Sequence, residues 1–122
     1  MKKDHFQGLS TRYLVDRFVA LCVAQGKAAE RSAIALYNRR FDVVQALLNE
    51  LRSREGDHRH RLLPLLDHPD AQVRLTAAHA TLTLSPAARA TLEALRKEPW
   101  LTQALDAGMA LDSLDRGIYR PE

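Results

Sequence analysis

The stretch from Asp67 to Leu84, Asp-His-Pro-Asp-Ala-Gln-Val-Arg-Leu-Thr-Ala-Ala-His-Ala-Thr-Leu-Thr-Leu, constrains the fold more than any other part of the chain. Pro69 lacks an amide proton and its ring clashes with the preceding turn, so no helix continues through it from the N-terminal side. Asp70 directly afterwards can accept the free amide protons of a new helix. Val73, Ala77, Ala80 and Leu84 then recur at spacings of four, three and four, which places them on one helical face. The pattern predicts a helix from Asp70 to Leu84, the second of a helical hairpin. Ala77 and Ala78 are small enough for a neighbouring backbone to come close, and Arg74 can reach back toward Asp67 or Asp70.

The first nine residues carry no periodic signal and are expected to be loosely held. Ser10 or Thr11 can cap a first helix, with Leu14, Phe18 and Leu21 inward and Cys22 beside them, running to about Gln25. Gly26 is expected to break or bend the chain there. From about Ala29, the apolar positions Ile34, Tyr37, Phe41, Val44, Leu48 and Leu51 form a stripe sustained over five turns, which a globular chain must cover. Arg52-Ser53-Arg54-Glu55-Gly56 ends that helix, with Gly56 as the left-handed cap. Asp57 opens a third helix whose buried side is Leu62, Leu63, Leu65 and Leu66, bent by Pro64. Ser85 with Pro86 starts a fifth, with Leu92 and Leu95 inward. A sixth runs from Trp100 to Asp115, with Leu101, Ala104, Leu105, Gly108 and Leu111 inward, and Gly108 permitting close helix contact. Gly117 precedes a tail that can fold back across the last hairpin.

Leu65-Leu66-Asp67-His68-Pro69-Asp70, followed by Val73-Arg74 and Ala77-Ala78, resembles a HEAT-type repeat, whose second helix is marked by an acidic residue, a valine-arginine pair and an alanine pair. One departure is the period: successive hairpins begin 28 residues apart, at Asp57 and Ser85, against roughly 40 to 47 in HEAT repeats. From Leu14 to Glu122 the chain also resembles a bacterial domain-of-unknown-function family, the one numbered two thousand and nineteen. Tyr37-Asn38-Arg39, Glu50-Leu51-Arg52 and Asp106-Ala107-Gly108-Met109 carry that resemblance together with the repeat. It transfers no catalytic motif. The HEAT resemblance implies a fold that is all-α: a short right-handed HEAT-like α-solenoid of three antiparallel helical hairpins. In one domain spanning 1–122, residues 10–54 form the N-terminal cap hairpin, and 57–84 and 85–116 the repeat hairpins. It also implies a surface that binds other macromolecules.

The chemistry-bearing residues point the same way. No glycine-rich phosphate loop, no His-Glu-x-x-His and no Gly-x-Ser-x-Gly elbow occurs, and the single cysteine rules out paired-cysteine metal ligation. No enzyme activity, cofactor or metal is expected. His58 and His60 are two residues apart and point some 200° from each other on a helix, so they cannot chelate one ion. With no signal-length apolar run, no membrane association is expected and the cytoplasm is the expected compartment. Residues 1 to 61 hold 12 Lys and Arg against 7 Asp and Glu, a net +5, whereas residues 62 to 122 hold 6 against 8, a net −2.

The expected function is therefore a non-enzymatic protein-binding module, in its sharper form an immunity protein that neutralises a cognate bacterial toxin. The partner-binding candidates are Arg39 on the second helix, Thr76, His79 and Thr83 in a polar line opposite the apolar face of the fourth, and Trp100 as an aromatic anchor. The alternative is nucleic-acid binding by the basic N-terminal half. A homodimer that buries His79 is the third arrangement the sequence allows.

Overall fold

The computed structural model describes residues 6–122. Residues 1–5, part of the segment expected to be loosely held, lie outside the described residues. Within that same segment Phe6 is buried and its carbonyl accepts a hydrogen bond from Arg54 Nη2 at 3.1 Å. The described residues are all helical, without strands: α1 Thr11–Glu30, α2 Ile34–Ser53, a 3-10 helix His58–Asp67, α3 Ala71–Thr81, α4 Pro86–Arg96 and α5 Gln103–Asp115. Among the described residues, no helix is long and apolar enough to cross a membrane. The chain forms two compact units, the first ending at Arg61 and the second running from Leu62 to Glu122. The change of net charge from +5 to −2 falls at that same boundary.

In the first unit, the Ser10 hydroxyl accepts from the Tyr13 amide at 3.0 Å and caps α1. Leu14, Phe18, Leu21 and Cys22 of α1 are buried, as are Val44, Leu47, Leu48 and Leu51 of the packed α2. Cys22 is thus a core residue. Two expectations fail here. The first helix, expected to stop near Gln25, runs on to Glu30 without a break at Gly26, a buried position inside α1, where glycine costs only about 1 kcal/mol relative to alanine. The turn comes at Arg31–Ala33, with Ser32 at φ 55°. The long stripe of α2 is covered only in its C-terminal half, leaving Ile34 71% exposed and Phe41 also outside. A four-three pattern drifts by about 20° per heptad on a straight helix, so a face anchored at Val44 to Leu51 has turned away from the core by Ile34.

The segment expected to be the third α-helix is a 3-10 helix instead. Pro64 supplies no amide proton and crowds the carbonyl four residues back, which disfavours the α form. Asp57, expected as a helix start, sits in the left-handed region at φ 54° after Gly56 at φ 86°. Its carboxylate accepts from the Arg59 Nε at 2.9 Å and Nη2 at 2.6 Å. Of the four leucines, Leu62 and Leu66 are buried, while Leu63 and Leu65 are only partly covered.

In the second unit, Asp70 Oδ1 accepts from the amides of Gln72 at 2.9 Å and Val73 at 3.1 Å, the cap that the sequence predicts. Val73, Leu75, Ala77, Ala78 and Thr81 are buried, and α3 packs against both α4 and α5. Because two faces of α3 are covered, its burial is broader than one stripe. The helix ends at Thr81, not at Leu84, and Thr83 lies on the following turn. Ser85 caps α4 through the Ala87 amide at 3.2 Å, with Pro86 in the first turn. α5 begins three residues later than Trp100. Leu105, expected inward, is 73% exposed, because the buried side of α5 is the one that carries Ala104, Ala107 and Leu111. Gly108 does allow a close approach, by a side chain: an added Cβ would lie 3.3 Å from Arg96 Cδ.

Candidate functional site

The chemistry of the second unit gathers around His79. Its Nε2 lies 3.0 Å from Asp106 Oδ1 on α5, and its Nδ1 lies 3.0 Å from the Tyr119 hydroxyl in the C-terminal tail. An ionised carboxylate only accepts, so Nε2 carries a proton and, in the neutral ring, Nδ1 accepts from the Tyr119 hydroxyl. The two rings sit 5.6 Å apart, tilted by 41°. The tail reaches this position because the amides of Ile118 and Tyr119 both donate to the Ser113 carbonyl, after Gly117 turns the chain at φ 72°. Burial, and secondarily the Asp106 carboxylate, push the Tyr119 phenol above its ordinary pKa. A phenol held protonated is a donor and a poor nucleophile, so the Asp106–His79–Tyr119 array acts as a tether between α3, α5 and the tail.

Beside that array runs an open groove of about 420 Å³, lined among others by Thr102, Leu105, Met109 and Ser113. Leu105 and Met109 are 73% and 63% exposed and lie four residues apart on α5, which makes them neighbours on one helix face. A second groove of about 550 Å³ lies between the 3-10 segment and α4, with Arg74 on its lining. The expected reach of Arg74 to Asp67 or Asp70 is not made: Asp70 is occupied by the α3 amides, and the Arg74 Nε is buried without a partner among the described residues.

The residues singled out from sequence do not form one line. Thr76 turns its hydroxyl onto the Gln72 carbonyl at 2.9 Å, on the side of the buried Gln72–Gln103 amide pair at 3.0 Å. His79 faces the α5 groove, and Thr83 is exposed beyond the helix end. Trp100 is 75% exposed two residues before the groove-lining Thr102. Arg39 is exposed on α2, in the first unit. His58 and His60 take separate partners, Thr11 Oγ1 at 2.7 Å and the Asp57 carbonyl at 2.8 Å. Sequence reasoning missed Asp106, Tyr119, Leu105 and Met109 as neighbours of His79. The one signal for the last two was that a helix with Ala104, Ala107 and Leu111 inward has no room for Leu105 and Met109 on the same face. Among the described residues, no group of three or more His, Cys, Asp or Glu is placed to hold a metal ion.

Comparison with known proteins places this architecture. No match was found among curated proteins. The crystal structure of the protein RPA1889 from Rhodopseudomonas palustris CGA009 is similar, with a TM-score of 0.93 and 41% sequence identity, covering 98% of this chain and 100% of that chain. A family model described as Domain of unknown function (DUF2019) matches residues 12–115. The chain belongs to the DUF2019 family.

Proposed function

We propose that the chain is a non-enzymatic protein-binding module that seats a partner's apolar side chains in the α5 groove. The carrying observation is the pair Leu105 and Met109, large apolar side chains left in solvent beside the tethered His79. Isolated exposed apolar residues are ordinary, but two on one helix face at the mouth of a groove supply the anchor that protein interfaces favour. Trp100 offers an aromatic anchor nearby in sequence. The reading includes the HEAT-like description, a short right-handed solenoid of three antiparallel hairpins. The Asp70 cap, the fully buried Ala77 and Ala78, and the packing of α3 on α4 and α5 support it. An immunity protein bound to a cognate toxin is the sharper instance and predicts a tight one-to-one complex. The second reading, nucleic-acid binding, is favoured by the +5 charge confined to the unit that ends at Arg61.

Affinity capture from the source organism with tagged wild type beside a Leu105→Glu, Met109→Glu double variant tests the reading, followed by reconstitution with the purified captured protein. Both side chains are exposed, so the variant should retain its circular dichroism. The expected result is one protein whose affinity falls by about 30-fold or more in the variant. Equal affinity would remove the α5 groove as the site. Retained nucleic acid that disappears as salt rises would favour the second reading.

A further inference from the structure

The lining of the α5 groove holds one carboxylate, Asp106, and, among the described residues, no lysine or arginine. Three carboxylates lie on α5, and the other two already face guanidinium groups: Asp112 meets Arg116 Nη1 at 3.3 Å and Asp115 meets Arg89 Nη2 at 2.9 Å. Asp106 has no such partner among the described residues. Its Oδ1 accepts from the His79 Nε2 at 3.0 Å, and its side chain is 47% exposed, so the carboxylate can be reached from solvent. The chain of donors runs from the Tyr119 hydroxyl to His79 and from His79 to Asp106. It holds the carboxylate from one side and leaves the second oxygen free to accept. Two neighbouring positions along the same helix, Leu105 and Met109, are the exposed apolar side chains of the groove.

The geometry points to a groove that receives a basic segment of the bound partner, with one cationic side chain on Asp106 and its apolar neighbours against Leu105 and Met109. The inference rests on the protein-binding reading and names the chemistry of the partner at that same site. A lysine side chain suits both parts of the groove, since its apolar stem can lie along Leu105 and Met109 while its ammonium reaches the carboxylate. The Tyr119 ring on the same lining adds an aromatic face that attracts a cation. The sign of the surrounding field agrees: the second unit carries a net −2. An acidic segment or a phosphate backbone meets repulsion at this groove, whereas a basic segment is drawn to it.

The test is a titration of the nitrogen-15-labelled full chain with the blocked peptide acetyl-Leu-Leu-Lys-Leu-Ala-amide and with its counterparts carrying norleucine or Glu in place of Lys. The Lys peptide is expected to shift the amides of Leu105, Asp106, Met109 and Tyr119. It should bind about threefold to tenfold more tightly than the norleucine peptide, with the Glu peptide weakest. Asp106→Asn keeps an oxygen for His79 and should retain the fold, but should make the Lys and norleucine peptides equal. Leu105→Ala with Met109→Ala should weaken both peptides alike and leave their ratio unchanged. Absence of binding, equal affinity of the three peptides for wild type, or a Lys preference that survives Asp106→Asn would each overturn the inference. Sedimentation of the chain alone covers a second copy as occupant: a dimer that Asp106→Asn dissociates would overturn the assignment to a foreign segment. If partner capture depends on Leu105 and Met109 while the Lys preference is absent, the inference fails and the protein-binding reading stands; if capture depends on neither residue, that reading fails at its groove whatever the peptides do.

Discussion

Replacing Asp70 by alanine should loosen α3, the helix that carries Arg74, Thr76 and His79. Asp70 Oδ1 accepts from two first-turn amides, at 2.9 Å from Gln72 and 3.1 Å from Val73. These are donors that a helix cannot satisfy internally. Pro69 closes off any rescue by extension of the helix backwards, and Gln72 and Val73 are buried, so water is a poor substitute. Loss of such a cap costs about 1–2 kcal/mol, to which the carboxylate's interaction with the helix dipole adds a few tenths. Urea denaturation followed by far-ultraviolet circular dichroism should show that loss. Native-state hydrogen exchange should localise it, with the α3 amides losing about 5- to 30-fold in protection while α1 and α2 are unchanged. Asp70→Asn caps nearly as well and should keep most of the stability. An alanine variant within about 0.3 kcal/mol of wild type, or an asparagine variant as weak as alanine, would refute the capping argument.

The tether and the buried amide pair give two further expectations. Burial and Asp106 hold the Tyr119 phenol above its ordinary value of 10.0, so the folded state keeps that proton more tightly than the unfolded chain. The stabilisation is complete below the unfolded pKa and is lost as pH rises through the folded one. Melting temperatures should therefore fall more steeply above about pH 10 in wild type than in Tyr119→Phe, and parallel curves would contradict the assignment. Gln103→Met removes the donor that meets Gln72 Oε1 at 3.0 Å in a buried site. It should lower the melting temperature by about 3–8 °C, and an unchanged melting temperature would show that the amide pair adds nothing.

Much of the second unit was legible because its signals are local. Pro69-Asp70 and Ser85-Pro86 mark helix starts by what one residue's backbone can donate or accept, and both caps form as the sequence predicts. The 3-10 form of His58–Asp67 was half legible: Pro64 announced a departure from ideal helix, but its extent depends on backbone geometry around Asp57 and Gly56. Gly26 misled because a glycine's cost inside a helix is small beside the packing of the residues that flank it. The candidate site was least legible. His79 stood out as a polar residue, but its partners Asp106 and Tyr119 are 27 and 40 residues away, and no spacing rule relates positions on different elements.

The sequence by itself determined that this chain is helical and where its capped helices begin, since these depend on hydrogen bonds and periodicity within a few residues. Only the tertiary structure decided which apolar stripes are covered and which are left out. It exposed Ile34, Leu105 and Met109, tied the tail to His79, and left the Arg74 Nε buried without a partner among the described residues. The physical reason is that burial and pairing are properties of two surfaces at once, and a single helix specifies only its own.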